Sequence, residues 1–248
     1  MVNINALFDV VIRTKNSERG IGKCLASIRR LIPDADIIVI DGKSTDNTVR
    51  IAESFASKII YEDKGLSFAT GIAGKISTKD FILFIDSDVE LINNKFPEIA
   101  LNLFKKFKTG AVVGNSLHFP FNYGLPLGLT MIERHTLNSI DFPENVKGRE
   151  TYYIQSYLRK QKLKVRYVNN SMIHTSYSRE YRYWPEWQGA YVRITAESIL
   201  REYLYSLLVV FLMLSNSRNI KNFLYIPVYW IRLTRGFVKP YKWDHRIY

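Results

Sequence analysis

Two aspartates, Asp86 and Asp88, directly follow five apolar residues, Phe81 to Ile85. Such a run is typical of a buried strand, which gains nothing from ending in paired negative charge. In extended backbone, residues i and i+2 point the same way, so both carboxylates are expected to converge beyond the strand. Two clustered carboxylates favour a divalent cation, and Mg²⁺ and Mn²⁺ are hard ions that prefer oxygen ligands and commonly bridge to phosphates. The pattern therefore predicts a metal site for a diphosphate; the alternative is an Asp-Ser-Asp turn that caps the next helix.

Short β-branched runs alternate with amphipathic segments over the first 90 residues. Four runs are predicted as strands: 8–13, 36–41, 57–61 and 79–86. Three segments between them are predicted as helices: 19–31, 46–56 and 66–76. Strands and helices in alternation predict an α/β fold whose central sheet is mostly parallel and flanked by helices. Such sheets bind ligands at the carboxyl ends of their strands, which is where the aspartate pair falls.

The pattern changes after the aspartate pair. Further elements are expected as helices at 94–107 and 149–161 and as strands at 110–117 and 163–168. From about residue 183 the chain is helical, aromatic and basic. We predict a catalytic domain over 1–182, with a nucleotide-binding half of about 1–90 and an acceptor half of about 91–182. A helical C-terminal region, 183–248, would bind a membrane or form oligomers.

Charge and composition restrict the class of protein. The chain has 248 residues and a net charge of +12, which favours anionic partners such as nucleotide phosphates, nucleic acid or an acidic membrane surface. Its one cysteine, Cys24, excludes an internal disulfide and fits a reducing compartment. Neither a signal peptide nor an apolar window of about 18 residues is found, so we expect a cytoplasmic location.

Four blocks in order carry a resemblance to a known family. They are VVIRTKN (10–16), VIDGKSTDNT (39–48), GLSFATG (65–71) and FILFIDSDVEL (81–91). The order and spacing resemble the inverting GT-A glycosyltransferases of the large family 2, which includes polyprenyl-phosphate sugar synthases and many polysaccharide enzymes. The resemblance implies a GT-A fold and transfer of a sugar from a nucleotide-sugar donor. Weaker similarity extends to about residue 190, and the last 50 residues lie outside it.

The resemblance implies roles for residues at the carboxyl ends of the first strands. Thr14, Asn16 and Asp41 occupy the positions that contact the base and ribose of the donor. Asp86 would contact the ribose or the metal, and Asp88 would bind the metal directly. For Thr14 and Asn16 the alternative is ordinary capping of a loop.

Two residues depart from the family pattern. Arg13 stands where relatives usually have proline, and Thr70 stands where an arginine often contacts the nucleotide. Lys64 or Arg13 is therefore expected as a substitute contact to phosphate or base. The base itself is left open by these departures.

The resemblance also implies a general base and a third metal ligand. Residues 147–168 resemble the block with two acids at the start of a helix, in which Arg149 replaces the first acid and Glu150 is the second. Glu150 would deprotonate an acceptor hydroxyl; the alternative is a glutamate favoured by the helix dipole. His174 is expected after the last strand, where relatives place a metal-binding histidine. The loop 114–124 takes the place of the glycine-containing donor loop.

The C-terminal region bears on location and acceptor. Seven Lys and Arg residues against one acid lie in 203–248, interleaved with tryptophan, tyrosine and short apolar runs. This pattern is typical of helices in a membrane interface, so we expect peripheral attachment to the cytoplasmic face beside a glycan or lipid-linked acceptor. Packing on the catalytic domain or a homo-oligomer interface is the alternative.

Three other functions compete with glycosyl transfer. A nucleotidyltransferase would share the layout, but RTKNSERG lacks the glycine-rich loop typical of that class. A nucleic-acid-binding protein would suit the net charge, yet no recognised motif is present, so no nucleic-acid partner is expected. A catalytically silent relative that binds a nucleotide sugar is the third, because Arg149 and Thr70 depart from the pattern.

Overall fold

The computed structural model describes residues 4–117, 124–144, 148–175, 184–195, 198–215 and 220–238. The chain divides near residue 176 into two compact units. The first unit contains a sheet with its flanking helices, and the described part of the second is helical.

The first unit begins with the predicted alternation of strands and helices. After a short 3-10 helix, Ile4–Leu7, the elements are β1 (Phe8–Thr14), α1 (Ile21–Leu31), β2 (Ile37–Asp41), α2 (Thr48–Ala52), β3 (Lys58–Tyr61), α3 (Leu66–Ile76) and β4 (Phe81–Ile85). Every residue of β1 and β2 is buried. Their apolar runs are continuous because strands of a parallel sheet are covered on both faces.

The second half of this unit is less regular. Its elements are β5 (Val89–Leu91), α4 (Phe96–Lys106), β6 (Thr109–Ser116), β7 (Leu129–Glu133), α5 (Arg134–Asn138), α6 (Glu150–Lys160) and β8 (Lys164–His174). The sequence did not predict β5, β7 or α5, because none of the three contains a long apolar run or a helical repeat. Strand β8 runs past residue 168 because a bulge in its pairing with β6 absorbs the irregular segment. The expectation that His174 follows the last strand is therefore wrong.

Eight strands form one sheet in the order β3-β2-β1-β4-β7-β6-β8-β5. β1 pairs in parallel with β2 and β4, β2 with β3, and β6 with β8. Only β7 and β5 run antiparallel to their neighbours. The sheet is mostly parallel, as predicted, and the carboxyl ends of its parallel strands lie along one edge.

Alternate side chains of the central strands enter two apolar layers. In β1, Val10 and Ile12 pack with α1 on one face, and Val11 packs with α3 on the other. The period of two continues to the strand end, so Arg13 lies on the same face as Val11. In β4, Phe84 belongs to that same layer. These strands therefore direct residues near their carboxyl ends towards α3.

The second unit consists of α7 (Trp184–Thr195), α8 (Ile199–Ser215) and α9 (Ile220–Val238) over its described residues. Helices α7 and α9 pack closely at two glycines. A Cβ atom at Gly189 would lie 2.0 Å from the carbonyl oxygen of Leu233, and one at Gly236 would lie 1.9 Å from that of Glu186. Only glycine allows this approach. None of the described helices combines the length and apolar character needed to cross a membrane.

A buried carboxylate anchors the connection that leads into β4. Asp9 in β1 is 2% exposed, and its Oδ2 accepts hydrogen bonds from the Ser77 hydroxyl and from the backbone N–H groups of Thr78 (3.0 Å) and Lys79 (3.4 Å). These bonds satisfy donors just beyond α3 and fix the start of β4. Since β4 leads to the aspartate pair, Asp9 also sets the position of that pair.

Replacing Asp9 by alanine is expected to lower the free energy of unfolding by about 2–4 kcal/mol, because it leaves buried donors without an acceptor. Urea denaturation followed by circular dichroism measures the change. Asp34→Ala, at an exposed aspartate in the turn before β2, is the matched control and is expected to cost less than about 0.5 kcal/mol. Equal midpoints for the two variants would contradict the anchoring role.

Candidate active site

Side chains of several elements meet at the carboxyl edge of the sheet. Arg13 is the penultimate residue of β1, Asp86 follows β4, Glu150 begins α6 and His174 ends β8. The predicted extended geometry of the aspartate pair is wrong, because residues 86–89 form a turn in which the N–H of Val89 donates to the carbonyl of Asp86 at 2.9 Å. This turn leads into β5 and caps no helix, so it differs from the alternative as well.

The guanidinium of Arg13 connects three elements. Its Nη1 donates to Thr70 Oγ1 at 2.8 Å and to Glu150 Oε1 at 3.1 Å. Its Nη2 donates to Asp86 Oδ1 at 3.0 Å. The side chain is only 3% exposed, and its charge lies 5.2 Å from the centre of the Phe84 ring. Arg13 therefore brings Asp86 and Glu150, two residues predicted independently, to one guanidinium.

Glu150 is buried and begins α6, as predicted. The preceding residue, Arg149, has a left-handed backbone with φ of 64°, which costs energy for any residue other than glycine. The hydroxyl of Ser67 in α3 donates to the carbonyl of Gly148 at 2.6 Å and ties this entry to the neighbouring helix. The helix start is thereby fixed on both sides, so the carboxylate of Glu150 is held against Arg13.

Strand pairing brings Asp88 and His174 together. Val89 pairs with His174 between β5 and β8, and the N–H of Thr175 donates to the carbonyl of Asp88 at 2.8 Å. Asp88 Oδ2 lies 3.9 Å from His174 Nδ1, a distance too long for a hydrogen bond and short enough for a charge interaction. The Asp88 carboxylate raises the pKa of His174 above its usual value, although burial opposes the shift.

The types of donor at this point suit a divalent cation. His174 Nδ1 is buried and accepts or donates no hydrogen bond among the described residues. A Cβ atom at Gly128 would lie 3.5 Å from Asp86 Oδ2 and 3.8 Å from Cε1 of His174, so both side chains face the same small space. Carboxylate oxygen and imidazole nitrogen suit Mn²⁺. In the described ranges no three acidic, cysteine or histidine side chains are packed tightly enough to enclose an ion.

The three residues predicted to bind the base and ribose lie at the ends of β1 and β2. Asp41 is fully buried, and its carboxylate accepts hydrogen bonds from the N–H (2.8 Å) and hydroxyl (2.5 Å) of Ser44. Asn16 Oδ1 accepts from the N–H of Thr45 at 2.8 Å. Asp41 and Asn16 thus shape the loop before α2. The buried hydroxyl of Thr14 has no partner among the described residues.

Lys64 lies apart from Arg13 and the acids that Arg13 contacts. Its ammonium pairs with Glu144 at 2.8 Å and lies 4.6 Å from the centre of the Phe68 ring. Within the described chain it contacts none of the other predicted site residues. In the predicted donor loop, residues 118–123 lie outside the described residues.

One buried group near the site is inert by its environment. Cys24 in α1 is buried, and its thiol donates to the carbonyl of Asp86 at 3.4 Å. Burial, reinforced by the charges of Asp86 and Asp88, raises the pKa of Cys24 far above its usual value. The thiol therefore stays protonated and helps to hold the turn.

Sequence reasoning noted Arg13 as a departure but did not find its contacts with the two acids. The available signal was a charged residue directly after the apolar run Val10 to Ile12, on the face that Val11 defines. The partner on α3 and the partner on α6 lie 57 and 137 residues away. Only the fold brings them together.

Curated relatives are matched over parts of their length. An uncharacterised glycosyltransferase of Rickettsia felis is 35% identical over 89 residues, which is 36% of this chain and 31% of the relative. Poly(ribitol-phosphate) β-N-acetylglucosaminyltransferase TarS of Staphylococcus aureus is 28% identical over 194 residues, covering 64% of this chain and 34% of the relative. The matched region spans about a third of the length of these relatives.

Solved structures share the fold. TarS residues 1–349 of S. aureus superimpose with a TM-score of 0.56 at 20% identity, covering 94% of this chain and 80% of that one. Glucosyl-3-phosphoglycerate synthase of Mycobacterium tuberculosis, solved with Mn²⁺, UDP and glucosyl-3-phosphoglycerate, has a TM-score of 0.54 at 20% identity over 70% of this chain and 73% of that one. The predicted GT-A fold is confirmed. The family pattern described as Glycosyl transferase family 2 matches residues 9–182, and the chain belongs to this family.

Proposed function

We propose that this chain transfers a sugar from a nucleotide-sugar donor to an acceptor, with the help of a divalent cation and with inversion at the anomeric carbon. The observation that carries the proposal is the arrangement at the carboxyl edge of the sheet. There Arg13 joins Asp86 to Glu150, and Asp88 lies beside His174. One side of this edge offers groups for a cation and a diphosphate, and the other offers a carboxylate for proton transfer.

The donor is proposed to lie along the ends of β1, β2 and β4. Asp41 and Asn16 shape the loop that receives the base, Thr14 supplies a buried hydroxyl, and Asp86 contacts the ribose or the cation. Lys64 would approach the diphosphate from the start of α3. A uridine nucleotide is the first candidate, because the M. tuberculosis relative of this fold was solved with UDP.

The cation is proposed to bind Asp88, His174 and the second oxygen of Asp86. Bound there, a divalent ion would neutralise the diphosphate of the donor and stabilise the charge on the departing nucleotide. The two carboxylates and the imidazole orient this end of the donor towards the side on which Glu150 lies. Arg13 and Glu150 are themselves buried.

Glu150 is proposed as the general base of a single displacement. Its carboxylate accepts the proton of an acceptor hydroxyl while that oxygen attacks the anomeric carbon from the face opposite the nucleotide. The bond from the anomeric carbon to the phosphate oxygen breaks, and the nucleoside diphosphate leaves with the electron pair. A phosphate acceptor is already ionised near neutral pH and needs no base, so a basic Glu150 favours a hydroxyl on a glycan or a lipid-linked acceptor.

The exposed faces of α8 and α9 support a membrane-bound location. Residues spaced by three, four or seven positions form an exposed apolar stripe on each helix: Leu200, Leu204, Leu208 and Phe211 on α8, and Leu224, Val228, Ile231 and Val238 on α9. The opposite faces pack together around Ile226 and Leu233. Since the surrounding sequence is strongly basic, we propose that these stripes enter an anionic lipid surface at the cytoplasmic face.

Donor binding is expected to depend on the cation and on Asp88. In a thermal-shift panel of UDP-, GDP- and TDP-sugars, one donor near 100 times its Kd should raise the Tm by about 5 °C or more with Mn²⁺ present. Asp88→Asn should remove the part of the shift that needs Mn²⁺, and Asp34→Asn should keep it. Release of pyrophosphate instead of nucleoside diphosphate would indicate a nucleotidyltransferase, and binding without turnover would indicate a silent relative.

Glu150→Gln is expected to lower turnover by about 10²–10⁴-fold, because a positioned base contributes that much to a proton transfer. The measurement is release of nucleoside diphosphate with water as the acceptor, beside a thermal shift that reports donor binding. Donor binding should stay within about twofold, since amide and carboxylate have the same shape. Glu53→Gln, at an exposed glutamate that ends α2, is the control. Unchanged turnover in Glu150→Gln would exclude Glu150 as the base.

Association with lipid is expected to depend on both charge and the stripes. The chain should co-sediment with vesicles that contain anionic lipid, less so at high salt and hardly at all with neutral vesicles. The double variant Leu204→Gln, Ile231→Gln should weaken co-sedimentation about tenfold or more, while Tyr61→Gln at an exposed site of the first unit should not. If light scattering shows a dimer and the protein does not co-sediment with vesicles, the stripes are a self-association surface and the lipid proposal is wrong.

A further inference from the structure

We propose that Arg13 is a positioning residue that holds Asp86 and Glu150 in their separate tasks through one guanidinium, a role that rests on the proposed function. The residue stands at the end of β1, where the period of the strand directs it towards α3. Its charged side chain is buried, and its ionic partners are Asp86, which is proposed to contact the donor or the cation, and Glu150, the proposed base. No other described side chain contacts both acids.

Each carboxylate accepts a hydrogen bond from Arg13 through one of its two oxygens. Glu150 Oε1 and Asp86 Oδ1 accept from the guanidinium, at 3.1 and 3.0 Å. Glu150 Oε2 and Asp86 Oδ2 are not the acceptors in these contacts. Asp86 Oδ2 instead faces the space beside Gly128 and His174. The second oxygen of Glu150 is therefore proposed to take the acceptor proton, and that of Asp86 to bind a cation. The contacts with Arg13 fix the orientation of both carboxylate groups.

The charges of Glu150 and Asp86 require a positively charged group such as the Arg13 guanidinium between them. Glu150 is 6% exposed, and an unpaired charge at that depth is costly. Two carboxylates near each other add repulsion, which a guanidinium between them offsets. Without Arg13, the two acids would have to separate, take up protons or attract another positive ion. Each of these changes would alter how Glu150 presents its second oxygen.

The geometry fits arginine better than lysine. Nη1 serves Glu150 and Thr70, and Nη2 serves Asp86, so the fork uses two nitrogens at fixed separation. Thr70 in turn donates its hydroxyl to the carbonyl of Leu66 at 2.8 Å, which leaves its oxygen directed at the guanidinium. The face of Phe84 supports the charge from another side. A lysine would offer a single nitrogen and could not bridge both acids in this way.

Arg13 is also expected to oppose binding of the metal. Its positive charge lies 3.0 Å from Asp86, so removing it leaves more negative charge for Mn²⁺. Arg13→Gln should therefore bind Mn²⁺ several times more tightly in calorimetry, yet turn over about 100-fold more slowly, with KM for the donor changed less than threefold. A substitution that damages the site in general would instead weaken Mn²⁺ binding and lower turnover together.

A double-mutant cycle tests whether Arg13 acts through Glu150. The assay measures kcat for wild type, Arg13→Gln, Glu150→Gln and the double variant. It follows the release of UDP from UDP-N-acetylglucosamine, or of the nucleotide from the donor that the thermal-shift panel selects. In the Glu150→Gln background, Arg13→Gln should lower kcat by less than about threefold, because residues that act as a unit are not additive. Arg13→Lys should recover only part of the rate, and Arg30→Gln, at an exposed arginine of α1, should match wild type.

The outcomes separate this proposal from the proposed function. An active wild type whose two variants have additive effects, or an Arg13→Gln variant with weaker Mn²⁺ binding, overturns the role of Arg13 and leaves sugar transfer intact. A wild type that releases nucleotide from none of the donors overturns the proposed function, and the role of Arg13 in it. Non-additive rates together with tighter Mn²⁺ binding support both.

Discussion

The candidate site depends on one electrostatic constraint: carboxylates that meet at the end of a parallel sheet, where one of them is buried, need a positive partner. Arg13 meets this need for Asp86 and Glu150 at distances near 3 Å. Asp88 has a different environment, beside a histidine whose pKa it raises. The acids at this edge are thus divided between a permanent cation of the protein and a place where a mobile cation fits.

The sheet explains why this division is possible. β1 and β4 are neighbours and parallel, so Arg13 and Asp86 leave adjacent strands on the face that α3 covers. β5 pairs with the far end of β8, which carries Asp88 to His174 on the other side of the turn. A turn of four residues therefore connects two environments. Its own hydrogen bond, from Val89 to Asp86, holds the aspartates in that arrangement.

The sequence predicts the parts of this protein that depend on local pattern. Continuous apolar runs gave β1, β2 and β4 within about two residues, and Glu150 was expected at the start of α6, where the structure has it. Strand β7 was not predicted, because Met131 and Ile132 are its only consecutive apolar residues, whereas β2 and β4 are equally short but have longer apolar runs. His174 was misplaced because the segment before it reads as a loop, although pairing with β5 and β6 makes it a strand. Tertiary pairing decided those cases, and sequence alone does not show it.

The two departures from the family pattern are best understood together. By the resemblance, Arg13 stands where a proline is expected and Thr70 where an arginine is expected, and Arg13 was predicted as a substitute contact to phosphate or base. In the fold the two side chains touch, with Nη1 of Arg13 2.8 Å from Thr70 Oγ1. A guanidinium thus remains beside α3 but is carried by β1. The short side chain of Thr70 is fully buried and accepts a hydrogen bond from the guanidinium. Position 70 of α3 therefore contributes an acceptor for the guanidinium and no positive charge of its own.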